Sequence, residues 1–371
     1  MGDWKGAVED MVGAATFWGG KRVLITGHTG FKGAWLALWL TDLGAEVTGY
    51  ALPPPTTPNL YDLAQVGLQL RNVEGDVRDL PALTAAITEA RPEIVFHLAA
   101  QSLVRLSYDD PVGTYAANIM GTVNLLEAVR QDGGARAVVC VTSDKCYENR
   151  ETSQAYCEDD AMGGHDPYSS SKGCSELVVS AYRRSFFSPA DGAGGVPRIA
   201  SVRAGNVIGG GDWAKDRLVP DLLNAFAAGL RPRIRFPTAI RPWQHVFEPL
   251  DGYMTVARHL WGGDPSVAEG WNFGPDETDA RPVGWIADRL AELWGGNAGW
   301  DCAGEPQPHE AHVLKLNCAK ARERLSWKPV WALDEGLRQT VAWRRALEQG
   351  AEMGEFSLNQ LRMRQTAATD T

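Results

Sequence analysis

The sequence has no Cys-x-x-Cys pair and no cysteine–histidine spacing of the kind that holds a metal. It nevertheless contains six cysteines: Cys140, Cys146, Cys157, Cys174, Cys302 and Cys318. No metal site is therefore expected; with nothing like a disulfide framework, the thiols read as reduced and the protein as cytoplasmic. No run approaches the ~18 uninterrupted apolar residues of a spanning helix. Residues 1–18 carry Asp3, Glu9 and Asp10 where a signal peptide would be apolar, so neither membrane span nor leader is expected. Positive charge is also short: 36 Lys and Arg against 46 Asp and Glu give a net charge of −10, which argues against general nucleic-acid binding. There is no internal repeat and no low-complexity tract. What remains is a chain of 371 residues, 44% hydrophobic and with 14 Trp, ample for a large core.

The rest of the chain is organised around residues 21–33, KRVLITGHTGFKG. Lys21–Thr26 reads as a buried strand, Gly27 to Gly33 as a glycine turn, and Ala34–Leu43 as an apolar helix. In a βαβ unit the first glycine makes the sharp turn, the second lets a pyrophosphate approach, and the third allows helix to meet strand. A dinucleotide then sits at the helix N-terminus, where free N–H groups favour negative charge. With 40 glycines present, the spacing alone would be weak, and it is the flanking strand and helix that give it meaning.

Ala45–Tyr50 is the next strand, and the prolines at 53–58 forbid helix or central strand behind it. Its end, Tyr50-Ala51-Leu52, lacks the acid that usually binds the adenosine ribose, which leaves NAD or NADP open. Leu70–Val73 is a third strand. Asp76 behind it either accepts from the adenine amino group or caps the helix predicted over Leu80–Ala90. Glu93–Leu98 is an apolar parallel strand ending in the small residues Ala99 and Ala100. A long helix is predicted over Asp109–Arg130, a strand over Ala137–Thr142, a helix over Asp166–Phe187 and a strand over Arg198–Arg203. This alternation means an α/β fold: a Rossmann-type doubly wound parallel sheet with ligands at the C-terminal strand edge. Beyond Gly205 the pattern changes. Helices at 216–229, 281–294 and 333–347, with extended segments near 233–236 and 271–273, read as a smaller mixed α/β substrate lobe. Met353–Thr371 reads as a mobile polar tail. The expected division is residues 19–204 for the dinucleotide, with chain returns from the C-terminal half, and 205–348 for the lobe. Residues 1–18 and 349–371 are terminal extensions.

The strand ending at Thr142 delivers Ser143, Asp144 and Lys145 to the same edge as the glycine turn. Further on, Tyr168 and Lys172 are four apart and share one helical face. A tyrosine titrates near 10 and needs a cation beside it to act as a base near neutral pH; Lys172 supplies one, and Ser143 is placed to bond the same substrate oxygen. Taken alone, Tyr-x-x-x-Lys is an ordinary helix pair and Asp144–Lys145 an ordinary ion pair. Their coincidence with the glycine turn favours catalysis.

On these residues the chain resembles the extended short-chain dehydrogenase/reductase family over residues 19–348. AAQSLVRLSYDDP at 99–111, Ser143-Asp144-Lys145, RAGNVIGGGDW at 203–213 and RPWQHVFEPLDGY at 241–253 narrow the resemblance to the CDP-glucose 4,6-dehydratase family. Relatives acting on dTDP-glucose carry Thr-Asp-Glu at 143–145. The resemblance implies that Tyr168 removes the C4 hydroxyl proton while hydride passes from C4 to a retained NAD, with NADP not excluded. Lys145 then takes the C5 proton, Asp144 protonates the departing C6 hydroxyl, and hydride returns to C6. Cofactor contacts are implied for Gly27, Thr29, Gly30, Phe31, Lys32 and Gly33. Asp76, Val77, Leu98, Ala99, Ala100, Tyr168 and Lys172 complete that set. For the nucleotide sugar the resemblance implies Gln101, Arg105, Asn206 and His309, with Arg217 and Arg241 near the diphosphate. Ser102 departs from the proline of AAQPL. A homodimer is implied too, paired through the helices that contain Tyr115–Val129 and follow Tyr168. The rivals are a dehydratase or 4-epimerase acting on a dTDP-, UDP- or GDP-sugar, and a non-catalytic dinucleotide-binding scaffold. A 4-epimerase shares Tyr168 and Lys172 but has no need of Asp144–Lys145.

Overall fold

The computed structural model describes residues 16–150, 154–188, 196–303 and 314–369. The first strand, β1 (Arg22–Thr26), is followed by helix α1 (Phe31–Asp42) and β2 (Glu46–Ala51). Every residue of α1 from Gly33 to Leu40 is buried, as expected of a helix that is apolar all round. Next come β3 (Arg71–Glu74), α2 (Leu80–Ala90) and β4 (Ile94–His97). Asp79, not Asp76, caps α2, accepting from the Ala82 N–H, so the capping alternative for Asp76 is corrected.

The single helix expected over 109–130 is divided. A short helix ends at Asp109, and Asp110 caps a new one that opens at Pro111, which has no N–H to continue the preceding turn. That helix passes through a π turn at Ala116–Met120 into α3 (Gly121–Asp132). β5 (Ala137–Val141), α4 (Pro167–Ser185) and β6 (Arg198–Ala204) follow as expected, within a residue or two.

Beyond β6 the chain forms β7 (Asn206–Ile208), α5 (Leu218–Ala227), β8 (Ile240–His245), α6 (Phe247–Gly262), β9 (Gly270–Phe273), α7 (Val283–Trp294), α8 (Leu333–Glu348) and α9 (Met353–Thr369). The main sheet is entirely parallel, in the order β9-β6-β5-β4-β1-β2-β3. The order reverses between β1 and β4, which opens a crevice at their C-terminal ends. The segment near 271–273, expected in the lobe, is therefore the outer strand of the main sheet. β8 pairs with β7 on one side and with Ala280–Pro282 on the other in a separate three-stranded sheet.

Two readings of the chain ends change. Over residues 353–369 the expected tail is a packed helix: α9 buries Met353, Leu361 and Arg364. Its Arg364 contacts Glu248 at 3.0 Å and Asp251 at 3.2 Å on α6, and Arg362 contacts Asp42 at 2.8 Å on α1. At the other end Trp18 is fully buried, so the core begins before residue 19. No helix among the described residues is long and apolar enough to cross a membrane.

Candidate active site

A continuous cleft of about 1750 Å³ runs along the C-terminal edge of the sheet, from the glycine turn past β5 to the loops around β7 and β8. Single-ligand pockets occupy roughly 300–1,000 Å³, so this one has room for two sizeable ligands end to end. Its floor is the glycine turn. Gly27 has φ +78°, and a Cβ there would lie 2.6 Å from the Ala99 nitrogen; a Cβ on Gly33 would lie 2.1 Å from the Gly27 oxygen. Both positions therefore admit only glycine. Gly30 precedes α1 and no side chain caps the helix, so its first-turn N–H groups are available to an anion. These features fit a dinucleotide pyrophosphate. Thr29, Phe31, Lys32, Val77, Leu98, Ala99 and Ala100 all line the cleft, as the sequence suggests. Asp76 also lines it, with its carboxylate held by Arg78 at 2.8 Å and thereby lowered in pKa.

β5 and α4 bring the expected catalytic residues together. Ser143, Asp144, Tyr168 and Lys172 are buried at 7%, 3%, 8% and 5% exposure, so their protonation is decided by the protein rather than by bulk water. The Ser143 hydroxyl donates to Asp144 Oδ1 at 3.0 Å and accepts from the Lys145 N–H at 3.2 Å, with Tyr168 beside it. Asp144 Oδ2 is buried with no hydrogen-bond partner among the described residues. Burial raises the Asp144 pKa against the opposing pull of Lys145, Ser143, Arg241 and Lys32. This carboxyl is therefore biased toward its protonated, proton-donating form. Burial also pushes the Tyr168 phenol up to about 12 and the Lys172 ammonium down to about 8. Lys172 donates to the Val141 carbonyl at 3.3 Å; the groups lowering the Tyr168 pKa are Ser143 and Arg217.

Lys32, read from sequence as a cofactor contact, also faces the catalytic cluster. Burial and the neighbouring Arg217 and Lys172 lower it to about 7, against Asp144, and its Nζ lies 5.9 Å from the Tyr253 ring centroid.

The sugar-side residues fare differently. Gln101 lines the cleft, but its side chain bonds Thr114 and Leu103, so it braces the loop after β4. Arg105 pairs with Asp216 at 2.9 Å across the cleft mouth. Arg217 pairs with Asp212 at 2.8 Å and donates to Ser102 at 3.1 Å. Arg241 is buried and near enough to lower Asp144; Asn206 lines the same wall. His309 lies outside the described residues.

Three residues escaped the sequence reading. Asn118, in the π turn, bonds the Gln101 backbone and the Ser171 hydroxyl, fixing α4 against the loop after β4. Glu176, one turn beyond Lys172, accepts from Arg203 at 2.8 Å, Ser201 at 2.6 Å and Thr142 at 2.5 Å. Tyr253 on α6 is fully buried, and its hydroxyl has no partner among the described residues. Helical spacing from Lys172 would have flagged Glu176; for Asn118 and Tyr253 no local pattern exists.

Residues 23–268 match the NAD dependent epimerase/dehydratase family. The CDP-glucose 4,6-dehydratase of Salmonella typhimurium is 55% identical over 337 residues, covering 91% of this chain and 94% of the relative. Among solved structures, UDP-glucose 4-epimerase from Thermotoga maritima with UDP-glucose has a TM-score of 0.76 at 21% identity, over 88% of this chain and 99% of that one. The dTDP-glucose 4,6-dehydratase of Bacillus anthracis in complex with NAD has a TM-score of 0.72 at 19% identity, over 89% and 98%. At those identities the likeness to solved structures is one of fold.

Proposed function

The chain belongs to the NAD dependent epimerase/dehydratase family, and from that membership we propose that it is a hydro-lyase converting CDP-glucose to CDP-4-keto-6-deoxyglucose and water, with NAD retained throughout. The observation that carries this reading is Asp144: a buried carboxyl beside Ser143 and Tyr168, with one oxygen unpaired among the described residues. Water loss needs a proton donor at that point; epimerisation at C4 does not. The extensive identity with a CDP-glucose 4,6-dehydratase supports the same substrate.

NAD, when bound, supplies the hydride acceptor for C4 and the donor for C6. Tyr168 receives the C4 hydroxyl proton as the ketone forms. That ketone acidifies C5, whose proton passes to Lys145 while Asp144 gives its own to the departing C6 oxygen. Lys145 later returns its proton to C5. Residues 19–204, completed by β9, hold the dinucleotide, and residues 205–348 hold the nucleotide sugar. Arg217 and Arg241 serve the diphosphate, which would compete with Asp212 for Arg217.

The protein acts as a cytoplasmic homodimer. Leu106, Val112, Met120, Leu177 and Phe186 expose apolar side chains along the helices at 104–132 and 167–186, a surface suited to a second copy. The test is turnover of CDP-glucose, dTDP-glucose, UDP-glucose and GDP-mannose by the NAD-loaded protein, scored by mass. Loss of one water from CDP-glucose alone is expected; unchanged mass with an inverted C4 would replace the reading with epimerisation.

A further inference from the structure

Two loops face each other across the cleft mouth, residues 212–217 before α5 and the loop after β4. Two contacts join them: Arg217 donates to Ser102 Oγ at 3.1 Å, and Arg105 pairs with Asp216 at 2.9 Å. Both sides of the Arg217–Ser102 contact are held from behind. Gln101, the residue before Ser102, has its backbone N–H and carbonyl bonded to the Asn118 side chain at 2.8 and 2.9 Å, and its own amide donates to Thr114 at 2.8 Å. On the other loop, Asp212 takes the second end of the Arg217 guanidinium at 2.8 Å, while its remaining oxygen accepts from the Ala214 N–H at 3.0 Å.

Resting on the nucleotide-sugar reading above, we propose that Ser102 is a positioning residue for the substrate: its hydroxyl holds one end of Arg217, so that the rest of the guanidinium meets the diphosphate already oriented. A guanidinium carries five N–H donors in a planar fork. One donor on Nη1 is committed to Asp212 and one on Nη2 to Ser102, and Nε is bonded to no described residue. Asp212 is an anion, so an incoming diphosphate competes with it directly. Ser102 is neutral and keeps its N–H when the anion arrives. Arg217 then exchanges Asp212 for the diphosphate about a fixed end, which lowers the ordering cost of binding.

The surroundings single out Ser102 rather than the ion pair beside it. The side chains of Arg105 and Asp216 are 49% and 42% exposed, a setting in which ion pairs contribute little. Arg217 is 32% exposed and Asp212 only 6%, and a substrate in the cleft removes more of the water around them. A hydrogen bond to a charged group gains strength as water leaves, so the Ser102 contact counts most when the diphosphate is bound. Ser102 makes no hydrogen bond to Ser143, Asp144, Lys145 or Tyr168 among the described residues, so its effect falls on binding and not on the reacting carbons.

The test combines calorimetric titration of the NAD-loaded protein with CDP and CDP-glucose, cytidine read as a competitor of CDP, and steady-state turnover. Ser102 is exposed, so Ser102→Ala is expected to fold as wild type does. It should weaken CDP and CDP-glucose about tenfold, raise KM to match, and leave kcat within roughly twofold. Cytidine, which has no phosphate, should bind as before. Ser102→Thr keeps the hydroxyl and should restore the affinity. In an Arg217→Ala background, already weaker for CDP, adding Ser102→Ala should cost nothing further. Additive losses in that pair, an equal loss for cytidine, or an unchanged CDP affinity in Ser102→Ala would overturn the inference. Wild-type protein that binds CDP yet releases no water from CDP-glucose is a different result: it would sink the dehydratase reading and leave Ser102 standing on the binding data.

Discussion

Two buried carboxyl groups flank the end of β5, and they are opposites. Glu176, on α4, is saturated: Arg203 meets it with two N–H donors, and Ser201 and Thr142 add their hydroxyls. Those partners outweigh burial and lower its pKa, so it stands as a fixed anion. Asp144 has a single hydroxyl on one oxygen and no partner among the described residues on the other, and burial wins in raising its pKa. Both lie in the same low-dielectric region. What separates an anchor from an acid here is the number of donors supplied, not depth.

Removing the acid gives the largest effect. Asp144→Asn is expected to reduce water loss from CDP-glucose by roughly a thousandfold, within the span of general-acid contributions, while the protein stays folded. Reduced nicotinamide should then build up on the protein, because C4 oxidation precedes the blocked step; normal turnover in this variant would remove Asp144 from the mechanism. Breaking the anchor should act on stability instead. Glu176→Gln leaves the Arg203 guanidinium buried and uncompensated, at a cost of about 3–5 kcal/mol, read as a lower urea midpoint. Adding Arg203→Met is expected to recover part of that loss, and a loss unchanged by the second substitution would contradict the pairing account.

A smaller contrast, on the order of 1 kcal/mol, should appear in the pH dependence of stability. The native Asp144 pKa lies above its unfolded value, so native protein binds more protons and loses stability as pH rises through the native value. Asp144→Asn should therefore be more stable than wild type at neutral pH, with the gap closing in acid. Glu176 has the opposite sign: its native pKa lies below the unfolded one, and its stabilisation is lost as pH falls toward the native value. The penalty of Glu176→Gln should thus be full at neutral pH and shrink in acid. Thermal melts of both variants across the acid-to-neutral range would show whether the two trends run in opposite directions.

The contrast also marks how far the sequence could be read. β1, the glycine turn and the strand–helix alternation to Ala204 are local patterns, set by apolar runs and turn residues, and all were legible. So was the meeting of Ser143, Asp144, Tyr168 and Lys172, because strand ends in this topology share one edge. Pairing was less visible. That Glu176 is saturated and Asp144 is not depends on Arg203 and Ser201, which β6 brings alongside β5. Gln101 looked like a sugar contact and is turned onto its own loop by Thr114, a partner chosen by tertiary packing. The strand at Gly270–Phe273 was detectable, yet only pairing with β6 shows that it closes the main sheet. The polar face of α9 suggested a tail, because its burial rests on Met353, Leu361 and the ion-paired Arg364 rather than on a continuous apolar stripe.

That last helix has a consequence for how the protein is made. During synthesis α1 is available early, but its partner through the Asp42–Arg362 contact is 320 residues away and emerges long after it. The same late helix supplies Arg364 to Glu248 and Asp251 on α6, which also carries Tyr253. N-terminal segments generally fold as they emerge, and contacts between distant parts of a chain form slowly. The nascent protein therefore has its glycine turn long before the helices around it are locked, and a ribosome that stops short of α9 releases a chain in which α1 still lacks its outer support.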